Sequence, residues 1–126
     1  MAQMDIELKK AFTEMQINKL ETSKKINMID MKCDMVKTGK HKYLLTEKGT
    51  NNLDNDTRVY MSVGRMFLLT DVQNMREDLK IKQEKCEKAI ELLEKKKEFL
   101  QKSLKDQEDG LRELVQQRKE ADVVAK

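Results

Sequence analysis

The 126 residues carry 26 Lys and Arg against 23 Asp and Glu, a formal net charge of +3, and 39% are charged, 38% hydrophobic and only 4% aromatic. Three Phe, two Tyr and no Trp are too little bulky material to fill a globular centre, while the absence of proline permits helices far longer than the ~12-residue globular mean. No apolar run nears the ~20 residues of a membrane span, the opening MAQMDIELKK lacks the hydrophobic stretch of a leader, and the mixed charge signs form no basic face for nucleic acid, so the expectation is a soluble intracellular protein.

The first predicted element is a helix over about 5–37. Leu8, Phe12, Met15, Ile26, Ile29, Cys33 and Val36 follow the alternating four-and-three spacing of a coiled-coil seam, interrupted by Lys19 and Thr22. Ile17, Leu20, Met28, Met31 and Met35 lie off that seam and widen the apolar face, which points to more than one neighbour. A connector and hairpin follow over about 38–70. Gly39 among Lys37, Lys40 and Lys42 reads as a helix stop, and in the 44–57 connector Gly49 and Asn51-Asn52 allow no more than a helical turn or two.

Residues 58–70, rich in β-branched and aromatic side chains, then read as a β-hairpin with Gly64-Arg65 as a two-residue II′ turn. In that register Val59, Met61, Val63, Met66 and Leu68 share one face, and Tyr60, Ser62, Phe67 and Leu69 the other. A hairpin apolar on both faces is marginal alone, so its strands are expected to be completed by other chains.

The last predicted element is a helix over about 71–121. Val72, Leu79, Cys86, Leu93, Leu100, Gln107 and Leu114 fall on one seam row, with Ile90, Leu104 and Leu111 on the other beside the polar Arg76, Gln83, Lys97 and Arg118, whose long stems can lie along a seam. At ~1.5 Å per residue the helices would reach roughly 50 and 75 Å, and neither is stable alone with so narrow a stripe. The predicted fold is mainly α: a long antiparallel two-helix coiled coil joined by a central β-hairpin, with the chain ends side by side.

The segments Glu7 to Gln16 (ELKKAFTEMQ) and Tyr60 to Phe67 (YMSVGRMF), in the order helix, hairpin, helix, resemble the β-type prefoldin subunits across nearly the whole chain. The Val63 to Phe67 hairpin between two coiled-coil arms is the most specific part, since heptads alone occur in many unrelated proteins. The resemblance implies one prefoldin-like domain over 1–126, located in the cytoplasm. It would sit in a heterohexamer of two α-type and four β-type subunits, whose hairpins close into a β-barrel platform with the coiled coils hanging from it. It further implies capture of unfolded actin- and tubulin-like chains and their transfer to the cytosolic chaperonin without ATP use by the hexamer. The assembly residues would be Val59, Tyr60, Met61, Val63, Gly64, Met66, Phe67, Leu68 and Leu69.

Chain ends that lie together bring Met4, Ile6, Leu8 and Phe12 near Leu111, Leu114 and Val115, an apolar cluster suited to weak, multivalent client contacts. Phe12 is expected to be a seam residue first, and Met15, Met28, Met31, Met61, Met66 and Met75 to serve mainly as packing. Gly110, inside a helix, is read either as a softener of the arm tip or as a tolerated exposed glycine. Lys95-Lys96-Lys97 reads as a solvated face, and Lys37, Lys40 and Lys42 near His41 as a weaker candidate for an acidic partner. Cys33 and Cys86 are expected as two buried thiols that do not face each other. The Asn55-Asp56-Thr57 acceptor pattern carries little weight without a secretion signal. No metal-ligand spacing, phosphate loop or nucleophile set is present, so neither cofactor, metal nor catalysis is expected. The rivals are a purely structural coiled-coil scaffold, which leaves the two-faced hairpin without purpose, and a nucleic-acid-associated coiled coil, which would bind with strong salt dependence.

Overall fold

The computed structural model describes residues 2–125, with side chains for 6–124, in the order α1 (Ala2–Thr50), β1 (Val59–Val63), β2 (Met66–Thr70) and α2 (Val72–Ala125). It is mainly helical, two long helices joined by a two-stranded antiparallel hairpin. The chain divides into two compact units, Met1–Asp30 with Glu94–Lys126, and Met31–Leu93.

In the Met31–Leu93 unit the predicted helix stop at 37 is overturned, because α1 runs on through Gly39 and Gly49 to Thr50. The reason lies in its inner face. Gly39 apart, the half-buried positions of α1 after Val36 are Lys40, Tyr43, Glu47 and Thr50, which continue the same four-and-three spacing with residues that do not look like a seam. Each of the first three finds a partner on α2. The Lys40 ammonium lies 3.0 Å from Glu87, the Gln83 amide donates to the Glu47 carboxylate at 2.7 Å, and the Lys82 ammonium stands 5.7 Å from the centroid of the Tyr43 ring. A glycine inside a helix costs ~1 kcal/mol, and three cross-helix contacts offset two such costs. The hydroxyls of Thr38, Thr46 and Thr50 donate to the carbonyls of Asp34, Lys42 and Thr46, which satisfies within the helix the groups that would otherwise compete with it.

The helix ends where the asparagines begin. The Leu53 amide donates to the Thr50 carbonyl at 3.2 Å, and the Arg76 guanidinium donates to the carbonyls of Asn51 and Leu53 at 3.4 Å each. A cation at the C-terminal end of α1 also suits the partial negative charge there. At the start of α2 the Asp71 carboxylate accepts from the Asn74 amide at 2.8 Å, an N-cap that fixes where the helix begins. The buried side chains of this unit are Cys33, Val72 and Leu79, with Val72 fully enclosed, and Met61, Met75 and Ile90 are half-buried. Both cysteines are free thiols. Cys33 is buried as expected, whereas Cys86 is half-buried rather than enclosed.

In the unit of Met1–Asp30 and Glu94–Lys126 the helices run antiparallel, as three ion pairs mark: Asp30 with Lys97 at 2.8 Å, Lys19 with Glu108 at 3.6 Å, and Glu7 with Arg118 at 4.0 Å. The residues near the two chain ends therefore lie side by side, as expected. Lys97 does not simply send its head into water; it reaches Asp30 across the helices.

The seam itself departs from the predicted rows. On α2 the half-buried positions are Lys97, Leu100, Ser103, Leu104, Glu108, Leu111, Val115 and Arg118, and from Leu100 through Leu104 to Glu108 a step of four follows a step of four. Gln107 and Leu114, placed on the seam by a strict heptad, are exposed, and Glu108 and Val115 take their places. On α1 Ala11 and Met15 are half-buried while Phe12 is exposed; four residues on, the exposed Lys19 pairs with Glu108, and Thr22 is the next half-buried position. An extra step of four locally unwinds a coiled coil, and here it occurs in both helices at the level of the Lys19–Glu108 pair.

Candidate functional site

Two surfaces carry the residues that the sequence singled out. The first is the hairpin. Its register pairs Val59 with Thr70, Tyr60 with Leu69, Met61 with Leu68, Ser62 with Phe67, and Val63 with Met66. Gly64 has φ +61° and no other described residue has a positive φ, so the turn is the II′ type expected from Gly64-Arg65. Opposed residues share a face, and the two faces are those expected, Val59, Met61, Val63, Met66 and Leu68 against Tyr60, Ser62, Phe67 and Leu69.

Val59 and Met61 are half-buried, while Met66 is 64% and Phe67 71% exposed, together with Tyr60, Val63, Leu68 and Leu69. Met66 is thus no packing residue within this chain. The sheet has two strands, so the outer edges of both are open among the described residues. A two-residue turn closes on a hydrogen-bonded pair, Val63 with Met66, and pairs then alternate along the ladder. The backbone groups of Tyr60 and Ser62 therefore point out from one edge, and those of Phe67 and Leu69 from the other. The hairpin offers two apolar faces and two free hydrogen-bonding edges, the chemistry by which strands are added to a sheet.

The second surface lies among the helices of the Met1–Asp30 and Glu94–Lys126 unit. A groove of about 550 Å³ has Phe12 and Met15 of α1 and Leu111 and Val115 of α2 as its apolar lining. Gln16, Lys19, Glu108, Arg112 and Gln116 supply its polar lining. On Met15 and Leu111 a second groove of about 370 Å³ also rests, bordered by Ala11, Asn18, Gly110 and Leu114. Of the predicted tip cluster, the structure brings Phe12, Leu111 and Val115 into one groove and places Leu114 in the other. Leu8 is half-buried, Ile6 is exposed, and the Met4 side chain lies outside the described residues.

Arg112 escaped the sequence reading, and Met15, which lines both grooves, stands there only as a seam and packing residue. The signal that could have found them is the switch from Leu114 to Val115 at an unbroken spacing from Leu104, since Val115 is as apolar as Leu114 and one residue further on. Gly110 borders the second groove, and a Cβ there would meet nothing within 4 Å.

The remaining features are plain surface. Met28 and Met31 do not pack within this chain as expected; with Met35, which is 75% exposed, they project from the outer face of α1. Ile17 and Leu20 are exposed with them, so they do not widen the inner seam. Among the described residues no group of His, Cys, Asp and Glu is placed to hold a metal ion, and no helix is long and apolar enough to cross a membrane.

Comparison with known proteins agrees with this arrangement. A family model described as "Prefoldin subunit" matches residues 3–118. The chain is 38% identical over 119 residues to human "Prefoldin subunit 1", covering 94% of this chain and 97% of that one. It is likewise 38% identical over 117 residues to "Probable prefoldin subunit 1" of Caenorhabditis elegans, covering 91% of each chain. Among solved structures, the crystal structure of the prefoldin beta subunit from Thermococcus strain KS-1 superimposes with a TM-score of 0.71 at 17% identity, covering 86% of this chain and 91% of that chain. At that identity the likeness is one of fold.

Proposed function

The chain belongs to the prefoldin subunit family, and from that premise we propose that it serves as one of four β-type subunits that join two α-type subunits in a cytoplasmic hexamer. In this reading residues 1–126 act as one prefoldin-like domain. The hexamer is a non-catalytic, cofactor-free holdase that captures unfolded actin- and tubulin-like chains and passes them to the cytosolic chaperonin without using ATP itself. The single observation that carries the reading is the hairpin from Val59 to Thr70, apolar on both faces and open along both edges. Alone, such a two-stranded element is marginal; closed with the hairpins of sister subunits into a barrel, its edges vanish and its faces are covered.

The helical arms supply the other half of the work. Phe12, Leu111, Leu114 and Val115, with Ile6 and Leu8 earlier on α1, offer modest apolar area per arm. Several arms around one cavity turn weak contacts into useful residence through high effective concentration, while each contact stays weak enough to release.

The test is co-expression with α-type and β-type prefoldin subunits, native mass measurement, and light scattering of chemically unfolded actin diluted into the purified complex. A six-chain assembly that suppresses scattering without nucleotide is the expected result. A homodimer or filament that leaves actin to aggregate would return the chain to the class of structural scaffolds.

A further inference from the structure

On the proposed reading of the arm tip as client-binding, we infer that the groove lined by Phe12, Met15, Leu111 and Val115 selects unfolded segments in which apolar side chains are flanked by carboxylates. The apolar floor alone would accept any greasy chain. The charges around it would not. Lys19 and Glu108 meet at 3.6 Å and cancel each other. That leaves Arg112, an exposed cation on the groove wall with no ion pair among the described residues.

Six residues further along α2, about 1.7 turns, stands Arg118, half-buried, with one guanidinium nitrogen shielded from water and without an acceptor. Its acidic neighbour, Glu7, is 4.0 Å away and largely exposed, so this pair is a weak one. A guanidinium so placed is short of an oxygen acceptor, and a carboxylate is the acceptor that also matches its charge and its fork. The rise along α2 between Arg112 and Arg118 is about 9 Å, which an extended chain covers in about three residues. Gln16 and Gln116 supply amides that can donate to and accept from a peptide backbone whatever its sequence. The groove is thus sequence-tolerant along its floor and charge-selective at one wall.

The experiment uses the hexamer assembled with its sister subunits and three fluorescein-labelled peptides of about twelve residues. Leu and Val alternate with Glu in the first, with Gln in the second and with Lys in the third. Fluorescence anisotropy at low salt is expected to rank the Glu peptide tightest and the Lys peptide weakest. The step between successive peptides should be about threefold, the scale of exposed ion pairs. The ranking should collapse at ~0.5 M salt. Arg112→Glu, at an exposed position of the groove wall, should reverse the order of the Glu and Lys peptides.

Equal binding of all three, or a ranking that Arg112→Glu does not alter, overturns the charge preference and leaves client capture standing. Failure of all three to bind, the Gln peptide included, overturns the client-binding reading itself and this inference with it.

Discussion

At Gly64 the backbone has φ +61° and an added Cβ would meet nothing within 4 Å, so a side chain there is opposed by the backbone alone. Gly110 has the same open space around it, but it sits inside α2 with ordinary helical φ. The same substitution therefore has opposite signs at the two sites. Gly64→Ala forces an L-residue into the left-handed region and is expected to destabilise the hairpin by ~1–2 kcal/mol. Gly110→Ala removes the helical cost of glycine and is expected to stabilise α2 by ~1 kcal/mol. Thermal melting of the assembled complex followed by circular dichroism reads both, and a stabilising Gly64→Ala would refute the turn. If Gly110 softens the arm tip, the more stable Gly110→Ala complex should also hold unfolded actin less well. Unchanged retention would mark it as a tolerated glycine.

At the scale of the element, the lesson is carried by α1. Its first part was legible because Leu8, Met15, Ile26, Ile29, Cys33 and Val36 write the seam in apolar residues. Beyond Val36 the helix was hidden, because Lys40 and Glu47 look like solvent-facing residues and Gly39 like a terminator; the contacts that justify Lys40 and Glu47 come from α2, some 36 to 47 residues away in sequence. The hairpin was legible to the residue because turn chemistry is local. The shifted seam near Leu104 was not, because strict heptad counting cannot see an extra step of four.

The hydrogen bond between Gln83 and Glu47 makes the point testable. Glu47→Leu alone leaves the part-buried Gln83 amide without its acceptor and is expected to cost ~1–2 kcal/mol. Glu47→Leu with Gln83→Leu replaces both partners by apolar ones and is expected to recover that loss or exceed it. A double-mutant cycle on melting temperature separates the two. Additive effects of the single changes would mean that the pair does not hold the end of α1 to α2.

At the scale of the whole molecule, the question is how a chain that buries so little survives. Among the described residues only Cys33, Val72 and Leu79 are buried, while Tyr60, Met66, Phe67 and Leu69 stand exposed on one short sheet. Such a surface is a hazard in a monomer and an asset in an assembly. The ladder decides which backbone groups are free to join it. Ser62 belongs to a pair whose amide and carbonyl point outward, whereas Met61 faces Leu68 in a pair that exchanges bonds within the hairpin.

Proline lacks the amide hydrogen, so its effect depends on which edge loses a donor. Ser62→Pro should leave the hairpin and both helices formed, with helical circular dichroism close to that of the parent, yet prevent the chain from entering a mixed complex. Met61→Pro should break the hairpin's own ladder and lose assembly and local order together. Native mass spectrometry of the co-expressed subunits, with hydrogen exchange over residues 59–70, distinguishes the two outcomes. Incorporation of the Ser62→Pro chain at parental levels would mean that sister strands do not add at the β1 edge, and assembly through that edge would be wrong.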